Sequence, residues 1–581
     1  MPEYLSPGVY IEETEIGSKP VEGVSTSTAG FLGEAERGPT TPKLITSWLD
    51  YQRVYGGLAG EGSYLPYAVE GFFNNGGQRC YIGRIVQAGA TGAEIGLKKG
   101  SAGALTVQAV GEGEWGNRVA VKVAKGTLSG FRLNVYYWKD AVPLSDPEIA
   151  AKDAPRPSVS ETFDNLSVDA KSPDYYEKRI NGVSQLIRVA KKAGDSGEQP
   201  DEAKIAYLAG GLDSSENAGQ VSAVPAANQI KLSDGASADK NAYVGMTIHI
   251  LDGDAKGQSR TVTEYAATKI ATLNAAWAEG KAPAAGAKYR ITRSGVTVGD
   301  YKRTDSAAGS RKGLAGFEEI DEISIVYAPN PDAVSGLTEE LIAHCEKLKD
   351  RFAIVDAAQN SDAGTLDPRS NDTKYAAFYY PWIKVTEPAS GLLRTVPPGG
   401  HVAGIFARTD AERGVHKAPA NEVVRGAIDL EFQITKGEQD ILNPRGVNVI
   451  RAFPGRGIRV WGARTLSSDP AWKYVNVRRL FNFLEESIDE GTQWVVFEPN
   501  DEKLWGRVRR TVTEFLTRVW RDGALMGTKP EEAFFVKCDR TTMTQNDIDN
   551  GRLIVLVGVA PVKPAEFVVF RIAQTSGGAN G

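Results

Sequence analysis

The sequence predicts a multidomain α/β (α+β) protein with an inserted small all-β domain and extended N- and C-terminal β-arms. Three observations carry this. Short β-rich runs alternate with amphipathic helical runs over residues 25–100 and again from Ile323 to Val385. Between Ala223 and Thr292 an Ala/Gly/Thr-rich stretch alternates with period two between Gly-containing turns. Each end of the chain holds a short extended run with no partner strand nearby in sequence. A chain of 581 residues can form several separate cores.

Composition excludes several classes. The 67 basic and 73 acidic residues nearly balance, which argues against a nucleic-acid coat and a polybasic membrane anchor. Cys80, Cys345 and Cys538 are too few and too scattered for a disulfide framework or a four-ligand zinc site, and read as buried thiols. No apolar run approaches the roughly 20 residues of a membrane helix, and the start MPEYLSPGVYIEE has no basic-then-apolar signal. A soluble chain folding in the cytoplasm is expected.

In chain order, Val9, Tyr10 and Ile11 after Pro7 and Gly8 form the N-terminal arm, within residues 1–24. An unpaired terminal strand either pairs within its own subunit or is donated to a neighbour's sheet edge. Residues 25–100 alternate strands with a helix from Tyr67 to Phe73. Gly33, Gly38 and Thr40 there have phosphate-loop spacing, but Pro39 stands where the lysine must be, so no nucleotide site is expected. Residues 101–215 are β-rich, followed by a helix expected from Tyr175 to Ser184. The all-β unit spans 216–296, with Ile230, Leu232, Met246, Ile248, Ile250 and Val262 as its inward set. Asp252 and Asp254 hint at a calcium loop whose other ligands are missing, so no metal is assigned.

Residues 297–385 resume the α/β pattern: strand Ile323 to Tyr327, helix Leu337 to Arg351, strand Phe352 to Val355 and strand Tyr375 to Val385. His401, Arg408, Asp410, Arg413 and His416 invite a catalytic reading, with Thr395 and Thr409 as the only nearby nucleophiles. Their order matches no triad, and polar residues at a domain joint explain them better. His344 and Cys345 are adjacent on a helix and do not face each other. No catalytic residue, cofactor or metal is expected.

Residues 386–560 end in two amphipathic helices. The first buries Val477, Leu480, Phe481, Leu484 and Ile488 and stops at Gly491; a strand from Trp494 to Phe497 is expected next. The second is capped by Asp501 and runs to Arg521, with the apolar stripe Leu504, Val508, Val512, Phe515 and Val519. Beside it Arg507, Arg510, Arg518 and Arg521 form a basic stripe interrupted by Glu514. That stripe either meets an acidic partner or is a solvated face with Glu514 and Arg518 paired. Strands are expected at Ala533 to Lys537, Leu553 to Val559 and Glu566 to Ile572. The last comprises Glu566, Phe567, Val568, Val569, Phe570 and Arg571, and forms the C-terminal arm within 561–581.

The runs TQWVVFEPNDEKLWGRVRRTVTEFLTRVWRDGALMG, FFVKCD and MTQNDIDNGRLIVLVGVAPVKPAEFVVFRI together resemble the C-terminal domain of contractile tail sheath proteins. Residues 396–430 and 443–469, and parts of the N-terminal region, are similar to that family too; Ala223 to Thr292 is not. The resemblance implies a structural subunit that is not an enzyme. It implies self-assembly into a helical homo-oligomer of stacked hexameric rings around an inner tube protein, with terminal arms joining neighbours. Contraction would drive the tube through a target envelope, and the basic stripe would face the tube. Baseplate and tail terminator or cap proteins are implied partners, without nucleic acid or direct membrane insertion. Assembly is expected in the bacterial cytoplasm, within a phage tail or an extracellular phage-tail-like particle. The alternative is a glycan-binding adhesin or decoration protein acting through the all-β unit.

Overall fold

A computed structural model describes residues 21–58, 63–151, 153–304, 307–329, 333–387 and 390–571. The N-terminal arm residues Val9, Tyr10 and Ile11 lie outside them. At the centre is a nine-stranded sheet, in spatial order Lys43–Ile45, Cys80–Arg84, Ala29–Gly33, Ile325–Tyr327, Phe352–Asp356, Ala376–Tyr380, Val447–Phe453, Gly457–Val460 and Glu422–Val423. The six strands from Cys80–Arg84 to Val447–Phe453 run parallel; the remaining pairings are antiparallel. Parallel strands are covered on both faces, and most of these six are buried at nearly every position.

One face packs under the helices Trp48–Tyr55, Leu65–Asn74 and Gly399–Arg413. The other packs under Gly313–Phe317 and Leu337–Leu348. Leu65–Asn74 and Gly399–Arg413 touch backbone to backbone, which glycine permits: a Cβ on Gly400 would lie 2.3 Å from Ala68 Cα, and one on Gly404 2.4 Å from Phe72 O.

Strand Ala29–Gly33 lies between Cys80–Arg84 and Ile325–Tyr327, so the 240 residues from 85 to 324 leave the sheet and return on the other side of that strand. The excursion builds two antiparallel sheets around one core: Glu94–Lys99, Ala102–Ala109 and Ile187–Ala190, and Ala203–Tyr207, Val119–Lys125, Phe131–Tyr137 and Val159–Leu166. It then forms a six-stranded antiparallel sheet between Asn217 and Thr292 with its own core, including Ile230, Leu232, Ile248, Ile250 and Val262. A bridge between Ala223 and Lys231 joins its two ends into a small barrel. Asp252 is occupied locally, accepting from the Lys288 amide at 2.6 Å.

The C-terminal layer is the helix pair Val475–Thr492 and Glu502–Arg521 with the hairpin Phe534–Lys537 and Leu556–Val559. Asp501 caps the second helix, accepting from Leu504 N at 2.8 Å. Leu504, Val508, Val512, Phe515 and Val519 are all buried, as their spacing requires. Among the described residues no helix is long and apolar enough to cross a membrane.

Four expectations change. Trp494 to Phe497 is not a strand: Gln493–Val495 forms a 3₁₀ turn, and Trp494 and Val495 turn into the helix-pair core instead of onto a sheet edge. Tyr375 to Val385 divides into Ala376–Tyr380 and Ile383–Thr386, because the chain leaves the main sheet at Pro381 and joins a separate three-stranded sheet. The helix expected from Tyr175 to Ser184 is only Tyr176–Ile180, since Asn181 bonds the Val189 backbone through both side-chain atoms and Gly182 turns left-handed. Glu566 to Ile572 is not a strand over its described residues, no sheet edge of its own subunit being paired with it.

The C-terminal layer is fixed to the sheet by Arg479. Its guanidinium makes two bonds to Asp410, at 2.9 and 2.6 Å, donates to Thr26 O at 2.7 Å and lies over the Phe406 ring. Arg479 and Asp410 side chains are each 3% exposed. Nearby, a cleft of about 440 Å³ between Val24–Thr26, residues 319–324 and Val475–Thr492 is rimmed by Glu319, Asp321, Glu322, Asp350, Glu486 and Glu490. Burial first, then Asp350, Glu490, Asp489 and Asp321, push the Glu486 carboxyl up to about 7.

Asp410→Ala should cost about 3–5 kcal/mol, because Arg479 keeps a buried charge without its counter-ion; urea unfolding measures it, and a loss below ~1 kcal/mol would contradict this assignment. Glu486 has a folded pKa above its unfolded one, so its ionisation erodes stability as pH rises from about 4.5 through about 7. Glu486→Gln should therefore stabilise the protein at pH 8 by about 1 kcal/mol, allowing for solvent screening at this half-exposed group, and change little at pH 4.

Candidate functional site

The polar cluster of the central helix does not assemble into a catalytic constellation. His401 is buried against Gly71, and burial brings its imidazole down to about 4, so it stays neutral. Arg408 donates to the carbonyls of Asn75 and Val423 at 3.1 and 2.9 Å, tying two loops to the helix. Asp410 serves Arg479 rather than a histidine. Thr409 is buried, and burial lowers His416 while Asp410 and Asp522 oppose the shift. His344 is brought down to about 3 by burial and by Arg351, and burial pushes the Cys345 thiol up. These groups join elements together. Among the described residues no cluster of His, Cys, Asp or Glu has a metal-holding arrangement.

The features left exposed are surfaces. On Glu502–Arg521 the basic stripe lies opposite the buried one, and Arg507, Arg510, Glu514, Arg518 and Arg521 are all solvent-exposed. Its members differ in use. Arg507 pairs with Glu498 at 2.9 Å and lies over Trp494. Arg518 does not pair with Glu514; it donates to the carbonyl of Val21. That bond belongs to a strap, Val21 to Thr26, laid across both C-terminal helices. Val24 N donates to Ser487 Oγ at 3.1 Å, Thr26 O accepts from Arg479, and the Val21 side chain fills the gap left at Gly491. Sequence reading missed this strap because its partners lie more than 450 residues away.

The C-terminal arm begins at an anchor. Glu566, expected within a donated strand, is held in its own subunit by Arg464 at 2.7 and 2.9 Å, Asn443 at 2.9 Å, Tyr474 at 2.9 Å and Lys473 at 3.1 Å. Burial raises its pKa, but the bonds from Arg464, Asn443, Tyr474 and Lys473 outweigh that and bring the carboxyl to about 2. Beyond it Phe567, Val568, Val569 and Phe570 are 71–84% exposed, and Arg571 is exposed. The signal available in sequence was only the two flanking prolines, Pro561 and Pro564.

Comparison with known proteins accords with this. Residues 295–466 match the phage tail sheath protein central domain, and residues 467–575 the phage tail sheath C-terminal domain. A prophage major tail sheath protein of Pseudomonas aeruginosa is 28% identical over 288 residues, covering 46% of this chain and 71% of that protein. The contracted helical sheath of the anti-feeding prophage has the same fold with a TM-score of 0.52 at 22% identity, over 98% of this chain and 100% of that one. The contracted sheath of the PVC extracellular contractile injection system does so with a TM-score of 0.52 at 22% identity, over 99% of each chain. The chain belongs to the contractile tail sheath family, as a sheath subunit of a phage tail or a phage-tail-like contractile injection system.

Proposed function

We propose that the subunit polymerises as stacked rings into a helical sleeve around an inner tube, and that the sleeve contracts to drive the tube through a target envelope. The observation that carries this is the run Phe567–Phe570, an exposed apolar segment leaving from a fixed anchor and unpaired in its own subunit. Such a segment is suited to add to a neighbour's sheet edge, and the two-stranded hairpin Phe534–Lys537 and Leu556–Val559 has free edges to accept one. Six or so backbone bonds at about 0.5–1.5 kcal/mol net each would tether neighbours while they slide. The N-terminal arm, with Val9, Tyr10 and Ile11, is the second tether. Identical contacts that do not close give an open helical array.

The helix Glu502–Arg521 meets the tube through its basic stripe, with Arg510 and Arg521 as its free charges, Arg507 and Arg518 being held by Glu498 and Val21. The barrel of residues 217–292 enters and leaves the chain within the long excursion and faces outward. Family membership favours this sheath role over glycan binding. Baseplate and terminator proteins would bound the sleeve, assembled in the bacterial cytoplasm.

Arg510→Glu with Arg521→Glu should abolish co-assembly with the tube protein at low salt while leaving the unfolding midpoint unchanged; undiminished co-sedimentation would remove the tube-facing assignment. Deleting residues 567–581, which keeps the Glu566 anchor, should eliminate the hollow cylinders seen by negative-stain electron microscopy; cylinders of normal length would remove the tether.

A further inference from the structure

The loop between the two C-terminal helices ends in a side chain that serves nothing in its own subunit. Phe497 is fully exposed, with Val496 beside it 60% exposed. Its φ is +67°, a left-handed conformation that a bulky aromatic residue seldom adopts. The loop is nonetheless pinned directly after Phe497. Glu498 pairs with Arg507 at 2.9 Å, Asn500 accepts from Trp505 Nε1 at 2.7 Å, and Asn500 donates to Arg552 O at 3.1 Å. An apolar ring is thus held rigidly in water at the cost of backbone strain. Around it, residues 489–507 carry five carboxylates, Asp489, Glu490, Glu498, Asp501 and Glu502, against Lys503 and Arg507; Glu498 is paired with Arg507, and Arg540 lies 3.8 Å from Glu502, which leaves the loop acidic on balance.

The complementary surface is on the same molecule. A groove of about 1060 Å³ runs between the C-terminal tail and the edge of the main sheet. Its floor is aromatic: Phe453 and Trp461 rings lie 4.5 Å apart, with Tyr474 also in the lining. Six basic side chains line it, including Arg413, Lys436 and Arg451, against two acidic ones, and one of those, Glu566, is already bound to Arg464. Tyr474 caps the start of helix Val475–Thr492, whereas Phe497 lies beyond its end. Eighteen helical residues separate groove and knob by about 27 Å, so a subunit cannot fill its own groove.

We propose that the acidic Phe497 knob of one subunit enters the basic aromatic groove of a second copy of this chain. A knob and a groove at opposite ends of one helix make a heterologous, head-to-tail contact, which generates a ring or an open helical array. This rests on the sheath role and specifies a contact beside the C-terminal arm, whose Phe567 and Val568 form part of the groove wall. Charge complementarity selects the second copy: an acidic knob is matched by a basic groove, not by the acidic tube surface that the arginine stripe would meet.

The test uses full-length protein assembled with its tube protein. Phe497→Ser should fold with an unchanged unfolding midpoint, since the ring touches nothing, yet lower the yield of cylinders about tenfold or more, as expected for losing one buried phenylalanine per contact. The native cysteines are buried, so the pair Phe497→Cys and Lys436→Cys reports proximity alone. Oxidation should give a ladder of covalent sheath oligomers in cylinders and none in dispersed subunits. Wild-type cylinder yield with Phe497→Ser, cylinders without a ladder, or a covalent band joining position 497 to the tube protein would each overturn the proposal. Failure of the unmodified chain to form cylinders with its tube would instead refute the sheath role, and the proposal with it.

Discussion

The buried pair between Arg479 and Asp410 is the constraint on which the rest depends. Its cost is steep: two charges are removed from water, and they are tolerated because the guanidinium also satisfies Thr26 O and stacks on Phe406. In return three parts of the chain meet at one point: the N-terminal strap, the central helix Gly399–Arg413 and the helix Val475–Thr492. The strap begins at the first described residue, the central helix packs onto the parallel sheet, and Val475–Thr492 leads to the helix Glu502–Arg521 with its exposed basic stripe. The junction adds a directional, charged link to the apolar packing of the C-terminal layer.

Arg478, next in sequence, works the same seam from the other side. It lies over Tyr375, Trp472 and Phe481 and bonds Asn482 and Glu485, while Asn482 donates to Arg351 O. Two consecutive arginines on a helix point about 100° apart, so they reach different surfaces and resist rotation of the helix about its axis. The excursion between Arg84 and Ile325 is attached by side chains: Glu112 accepts from Thr40 and Lys312, and Tyr137 donates to Glu36.

What could be read from sequence was whatever is local. The stripe Leu504, Val508, Val512, Phe515 and Val519 with its Asp501 cap fixed the last long helix to within a residue, because spacing and cap chemistry act over four residues. The run from Trp494 to Phe497 misled for the same reason: Trp, Val and Phe fit a strand, but only the tertiary neighbours decide whether an edge is there to pair with. Tyr375 to Val385 failed because a change of sheet leaves no trace in alternation. The site was less legible than the fold. Glu566 is held by residues at 443, 464, 473 and 474, and Arg518 by Val21; neither grouping has a spacing to recognise. The arginine stripe was visible as a stripe, but that Arg507 and Arg518 are already engaged was not.

The chain is held near both of its described ends. At Val21, the first described residue, the side chain fills the space at Gly491 and Arg518 holds the carbonyl; ahead of the exposed run Phe567–Phe570, Glu566 is the fixed point. The Val21 contact lies on the C-terminal helix pair, whereas Glu566 is held by Asn443, Arg464, Lys473 and Tyr474, beside the edge of the main sheet. A carboxyl brought to about 2 keeps the Glu566 root ionised wherever a cell or its surroundings are near neutral, and its stabilising charge is lost only as pH falls from the unfolded carboxylate value toward 2. Anchoring by charge differs in kind from anchoring by apolar burial. An ion pair holds one atom group fixed while the chain beyond it turns, whereas a buried apolar strand would have to be pulled free.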